Sequence, residues 1–178
     1  MKFSKKKELK ENVSKYVRPE EFLQYCRECP NYGHKWSCPE YDFDTREYFR
    51  RYRNLKVFGL KILYDEDLCR KELTREEMRK ILSESMMVER KKLDAMLREL
   101  EEKTGGTGLN AGACALCAEC TRDANEGCRF PEKMRYSLES LGGDITATIK
   151  DLLGIDLIWD SNGHLPAYYT LVAGLLYN

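Results

Sequence analysis

Histidine is scarce in this chain: His34 and His164 are the two among 178 residues. Mechanisms that lean on imidazole as a base or nucleophile therefore have few candidates. No Ser-His-Asp set, paired-carboxylate motif or nucleotide loop takes their place. Gly105-Gly106-Thr107-Gly108 is glycine-rich, but it fits neither a Walker loop nor a dinucleotide fingerprint and reads as a linker. A charge excess of one sign is also lacking. The 30 basic residues balance 30 acidic ones, which argues against a nucleic-acid or anionic-membrane partner. No apolar run approaches the length of a transmembrane helix. Met1 to Lys10 is lysine-rich and lacks the apolar core of a signal peptide, so a cytoplasmic protein is expected. There is no low-complexity tract and no internal repeat. The length and mixed composition predict a single domain over residues 1–178.

Cysteine is abundant by contrast, with eight residues. In a reducing compartment, patterned cysteines favour metal ligation over disulfides. Four lie in the loop 110–131, at Cys114, Cys117, Cys120 and Cys128. Two residues separate each of the first three, and seven separate Cys120 from Cys128. Thiolates are the soft ligands that zinc and iron–sulfur clusters require. Structural zinc usually joins two C-x-x-C pairs across a long loop. An unbroken C-x-x-C-x-x-C run is the pattern of a 4Fe-4S cubane, with a fourth cysteine from further along. Ala111, Gly112, Ala113, Ala115 and Ala118 are small and let backbone N–H groups approach the sulfides. A 4Fe-4S cluster is thus favoured, with zinc as the alternative and disulfides or free thiols behind it. Arg122, Arg129, Lys133 and Arg135 place positive charge near these ligands. They serve either to stabilise an anionic cluster, as expected of Arg122 and Arg129, or as surface ion pairs.

A second group occupies the loop 26–39, with Cys26, Cys29 and Cys38. Pro30, Gly33 and Pro39 make it a structured loop. Its spacing suits iron or zinc. His34 reads as solvated rather than ligating. Tyr25, Tyr32, Trp36 and Tyr41 pack over the loop or form an aromatic lid that shields a cluster.

The remaining pattern predicts α/β or α+β character, as a two-layer sandwich of a small mixed sheet and helices with the cysteine loops at one end. Residues 1–17 read as weakly ordered or a peripheral helix, and Pro19 starts a short helix to about Cys26. Asp44 and Glu47 resemble a capping pair ahead of Tyr48, Phe49 and Tyr52. Phe58, Leu60, Ile62 and Tyr64 alternate as a strand over Lys56–Tyr64. Thr74-Arg-Glu-Glu77 is a capping box that opens a long amphipathic helix to about Lys103, stopped by Gly105. Lys133 to Leu141 reads as helical, and Asp144 caps another helix that ends at Gly154. Ile155–Trp159 and Ala167–Leu176 read as a hairpin.

Three patches carry a resemblance: Cys26-x-x-Cys29-Pro-Asn-Tyr-Gly-x-x-Trp-Ser-Cys38-Pro, then Ala111-Gly-x-Cys114-x-Leu-Cys117-x-x-Cys120, then Cys128-Arg-x-Pro-Glu-Lys-Met-Arg-Tyr-Ser-Leu-Glu-x-Leu-Gly. The chain from Cys26 onward resembles a prokaryotic domain-of-unknown-function family described as predicted metal-binding proteins, common in anaerobes. Glu40 stands where the family pattern has a second proline, and Cys69 lies outside the pattern. The resemblance implies metal binding and an iron–sulfur cofactor, and implies no reaction.

Eight cysteines allow one or two clusters. Local completion by Cys128 is expected for the main one, with a crossover from Cys38 as the alternative. The second group is then closed by Cys69 or keeps an open position. Three functions remain. One is electron transfer to a redox partner protein. Another is a cluster-dependent enzyme binding a small-molecule substrate at an open iron of the Cys26/Cys29/Cys38 group. The third is a zinc-stabilised interaction module.

Overall fold

The computed structural model describes residues 2–3, 7–8, 13–158 and 163–178. In chain order these form strands β1 (Lys2–Phe3) and β2 (Lys7–Glu8), then helices α1 (Val13–Tyr16), α2 (Pro19–Arg27) and α3 (Thr45–Arg50). Strand β3 (Asn54–Leu63), helices α4 (Glu66–Cys69) and α5 (Arg75–Thr104) and strand β4 (Thr107–Leu109) follow. After a turn of 3-10 helix (Thr121–Ala124) come helix α6 (Ile145–Leu153) and strand β5 (Tyr168–Tyr177).

β3 and β5 pair along their whole length, from Asn54 opposite Tyr177 to Leu63 opposite Tyr168. β4 adds to the other edge of β5, and β1 and β2 add to β3. Alternate residues of β3 serve two cores. Leu55 and Val57 face Phe49, Leu138, Leu141, Ile149 and Ile155. Phe58, Leu60 and Ile62 face Leu93 and Leu97 of α5, together with Ala111. Both faces of the sheet are therefore covered. Each fully buried Leu or Ile contributes about 1.5–3 kcal/mol.

The α+β character is as expected, and among the described residues every strand pair is antiparallel rather than mixed. Helices α3, α5 and α6 begin where side chains satisfy free N–H groups. Thr74 and Glu77 complete the capping box of α5, and Gly105 ends it at φ +65°. Asp44 accepts from Arg46 N–H, and Asp144 accepts from Ala147 N–H at 2.9 Å. Among the described residues no helix is long and apolar enough to cross a membrane.

Three local expectations are corrected. Residues 133–141 form turns and a bridge instead of a helix. Their backbone pairs with distant segments: Ser137 N–H donates to Ser37 O at 3.0 Å, and Asn110 N–H to Tyr136 O at 2.8 Å. Tertiary partners outcompete the local helix there. Residues 105–108 are not a plain linker, because Thr107–Leu109 is the edge strand β4. Residues 155–158 form no strand, and Trp159 and residues 160–162 of the turn expected over Asp160–Gly163 lie outside the described residues. β5 finds its partners in β3 and β4, so the hairpin does not form. Near the N-terminus, Tyr16 and Val17 are buried, so this part of the chain is less peripheral than its charge suggests.

Candidate metal centre

The loop after β4 leaves the sheet at Asn110 and returns through Ser137, where Asn110 and Ser137 form a bridge. This gathers the first cysteine group. Cys114, Cys117, Cys120 and Cys128 all line one narrow cavity, with Lys35, Trp36, Leu116, Thr121, Arg129 and Met134 completing its wall. Gly112 takes φ +69°, and a side chain there would meet the Arg90 guanidinium at 3.3 Å. Phe130 N–H donates to Cys128 Sγ at 3.4 Å. Burial pushes the Cys114 thiol up, the Leu116 N–H opposes this, and Asp94, Cys117 and Cys128 add to it. Buried thiols of this kind stay neutral until a cation compensates them, and a bound metal inverts that preference.

Trp36 Nε1 is buried and has no hydrogen-bond partner. Trp36 lines the cavity of the four thiols, and an orphaned N–H on that residue fits an acceptor that enters with the metal group, such as a thiolate or a sulfide. The donor set therefore fits both a four-thiolate cluster and a metal ion. Among the described residues, however, no three Cys, His, Asp or Glu side chains are gathered as a single-ion site. The thiols share a cavity rather than a closed cage.

Arg122 joins the two cysteine loops. Its Nε donates to Gly33 O at 2.7 Å, and its guanidinium lies 4.7 Å from the Trp36 ring centroid. His34 pairs with Asp123 at 2.7 Å, both exposed, so the ring makes a loop-to-loop contact. Arg129 lines the cavity and donates to Glu119 O at 3.0 Å. Arg135 is turned away to Glu101, which it grips at 2.5 and 3.0 Å. Of the four aromatic residues of the second loop, Trp36 lines the cavity. Tyr25 is exposed, and Tyr41 joins Phe43 and Tyr136 beneath the loop.

The second group is also brought together. Cys38 is buried, with Ser37 Oγ and Ser137 Oγ each 3.6 Å from its sulfur. Cys26 Sγ donates to the Glu139 carbonyl at 3.6 Å. Cys29 is exposed. Burial first, then the charges of Glu139, Cys38 and Cys29, push the Cys26 thiol up to about 12. Ser37 stitches the two groups together, since its Oγ accepts from Cys114 N–H at 2.9 Å. Cys69 lies elsewhere, donating to Pro166 O at 3.5 Å beside Tyr64.

Sequence patterns missed Ser37, Ser137, Glu139, Arg90 and Asp94. Ser37, Ser137 and Glu139 lie inside the quoted motifs but carry no ligand spacing of their own. Asp94 stands between the core residues Leu93 and Leu97 of α5, a charged residue on a buried surface. That misfit was a readable signal. Burial pushes the Asp94 carboxyl up to about 6, against the opposing pull of Arg98 and Arg90.

A 510 Å³ groove opens beside the second loop, lined by residues of α2 and α3 with Arg27, Tyr32, Tyr41 and Phe43. Comparison with curated proteins and with solved structures returned no match. A family model does match, over residues 12–177, and it spans both cysteine groups and all but the first short strands. With that coverage, the chain belongs to the predicted metal-binding protein family DUF2284.

Proposed function

We propose that this is an iron–sulfur protein of the cytoplasm, whose main 4Fe-4S cluster is held by Cys114, Cys117, Cys120 and Cys128 and which passes electrons to a redox partner protein. The observation that carries the reading is the shared cavity of those four thiols, lined also by Trp36, whose Nε1 is unpartnered. When bound, such a cluster supplies one-electron chemistry. The protein's own contribution is to exclude water and tune charge. Trp36, Leu116 and Met134 form apolar wall, and Lys35 and Arg129 offset an anionic group. N–H donors to the ligating sulfurs act in the same direction, as Phe130 does on Cys128.

The groove beside the second loop favours one further reading, a cluster-dependent enzyme. Arg27 lies next to Cys26 in sequence and lines this groove, where it offers a cation to an anionic substrate.

The test is metal and acid-labile sulfide analysis with a visible spectrum, on protein purified without oxygen. Brown protein with about four or about eight irons per chain is expected, for one or two cubanes. Cys117→Ser should remove about four irons and their absorption. Colourless protein with stoichiometric zinc and no sulfide overturns both redox readings and leaves the zinc-stabilised module.

A further inference from the structure

The 510 Å³ groove beside the second cysteine loop falls in the size range of a site for one small molecule, about 300–1,000 Å³. Part of its wall is aromatic. Tyr41 and Phe43 meet edge to face with ring centroids 5.0 Å apart, and Tyr32 and Leu23 line the same space. The Tyr41 hydroxyl is engaged with Ser140 Oγ at 2.7 Å, and Ser140 is not part of the lining. Tyr41 therefore gives the groove ring surface rather than a polar tip.

Four charged residues line the groove: Glu20, Arg27, Asp44 and Arg46. Three of them satisfy one another. Arg46 pairs with Glu20 at 2.8 Å and with Asp44 at 3.3 Å, and Asp44 also accepts the Arg46 N–H at 2.9 Å. Arg27 is the exception. It is exposed, and among the described residues its side chain makes no hydrogen bond or ion pair. One uncommitted guanidinium thus lines a space whose other charges are already paired.

That combination selects a ligand chemistry. The planar fork of arginine takes a carboxylate through two parallel N–H···O bonds. A phosphate dianion would want further cations or a free helix N-terminus. The N-terminus of α3 is at the groove, but the Asp44 carboxylate already occupies it and repels a second anion. A flat ring packs on aromatic faces with a gain beyond its buried area.

We propose that the groove binds a small aromatic monocarboxylate, with the carboxylate on Arg27 and the ring against Tyr32, Tyr41 and Phe43. The binding itself needs no metal. Its use as a substrate rests on the second functional reading, the cluster-dependent enzyme, since Arg27 follows Cys26 and Tyr32 lies between Cys29 and Cys38.

The test is equilibrium dialysis of benzoate against the full chain prepared without oxygen. Benzyl alcohol is the neutral comparison and acetate the ringless one. Benzoate should bind with a dissociation constant of about 1 mM, as suits so small a ligand. Benzyl alcohol and acetate should each bind about tenfold more weakly or worse. Arg27→Gln should bring benzoate down to the level of benzyl alcohol. It should leave the melting temperature and metal content unchanged, because Arg27 has no partner to lose. Tyr32→Leu should weaken benzoate and leave acetate as it was. No binding of benzoate at about 10 mM overturns the site. So does benzoate binding that Arg27→Gln leaves intact, or acetate or benzyl alcohol binding as tightly as benzoate. Benzoate bound through Arg27 to a colourless zinc protein keeps the site and overturns the redox readings alone, so the two fail separately.

Discussion

Replacing Arg122 by alanine should loosen the grip between the two cysteine loops. Two interactions are lost at once: the donation from Nε to Gly33 O at 2.7 Å, and the stacking over Trp36 at 4.7 Å. A hydrogen bond from a charged group contributes about 1.5–3 kcal/mol, and a cation–π contact at an exposed site about 0.5–1 kcal/mol. Arg122 is half-buried, and the freed Gly33 carbonyl can take water, so the net loss falls to about 1–3 kcal/mol. That corresponds to a factor of about 5–150 in the equilibrium between docked and undocked loops. Trp36 is part of the cavity wall, so undocking opens the four-thiol cavity, and the cluster proposed there, to solvent. The assay is the rate of iron release to an excess of ferrous chelator, under anaerobic conditions. The variant should release iron faster by that factor, and Arg122→Lys should fall between, since lysine keeps the charge but loses the planar fork. A release rate within about twofold of the parent, well under that range, together with an unchanged melting temperature, would refute the docking argument.

Two further substitutions probe the frame around the site. Gly142 sits at φ +84°, and a side chain there would lie 2.6 Å from Pro19 Cα. Gly142→Ala should cost about 2–4 kcal/mol, from the left-handed backbone and the clash together. This lowers the melting temperature by about 5–15 °C in circular dichroism, and a change under about 2 °C contradicts the contact. Asp94 holds its proton up to about pH 6 in the fold, above the ordinary carboxyl value of 3.8. The folded state then binds more protons than the unfolded one between these values, so stability falls as pH rises through that window. Asp94→Asn removes the penalty and should gain about 1–3 kcal/mol above pH 6, shrinking towards pH 4. Melting curves across that range check it, and a gain independent of pH contradicts the buried carboxyl.

Much of this architecture is local and was legible in the chain. The capping box at Thr74 and Glu77, the stop at Gly105 and the Asp144 cap need only neighbouring residues, because each satisfies backbone groups within one turn. The C-x-x-C-x-x-C run is likewise a statement about ligand chemistry at short range, and the cavity of Cys114, Cys117, Cys120 and Cys128 accords with it. What the tertiary structure decided is everything that depends on distant pairing. Residues 133–141 carry helical propensity, yet their N–H and C=O groups are spent on Ser37 and Asn110 across the fold. β5 takes β3 and β4 as partners, where local reading supplied a hairpin. Cys69 pairs with Pro166, a preference that no spacing rule reveals. Glu139 carries no ligand spacing of its own in the sequence. Only the tertiary fold buries its carboxyl beside Ser137 and the Gly112 N–H, and that burial pushes the carboxyl up.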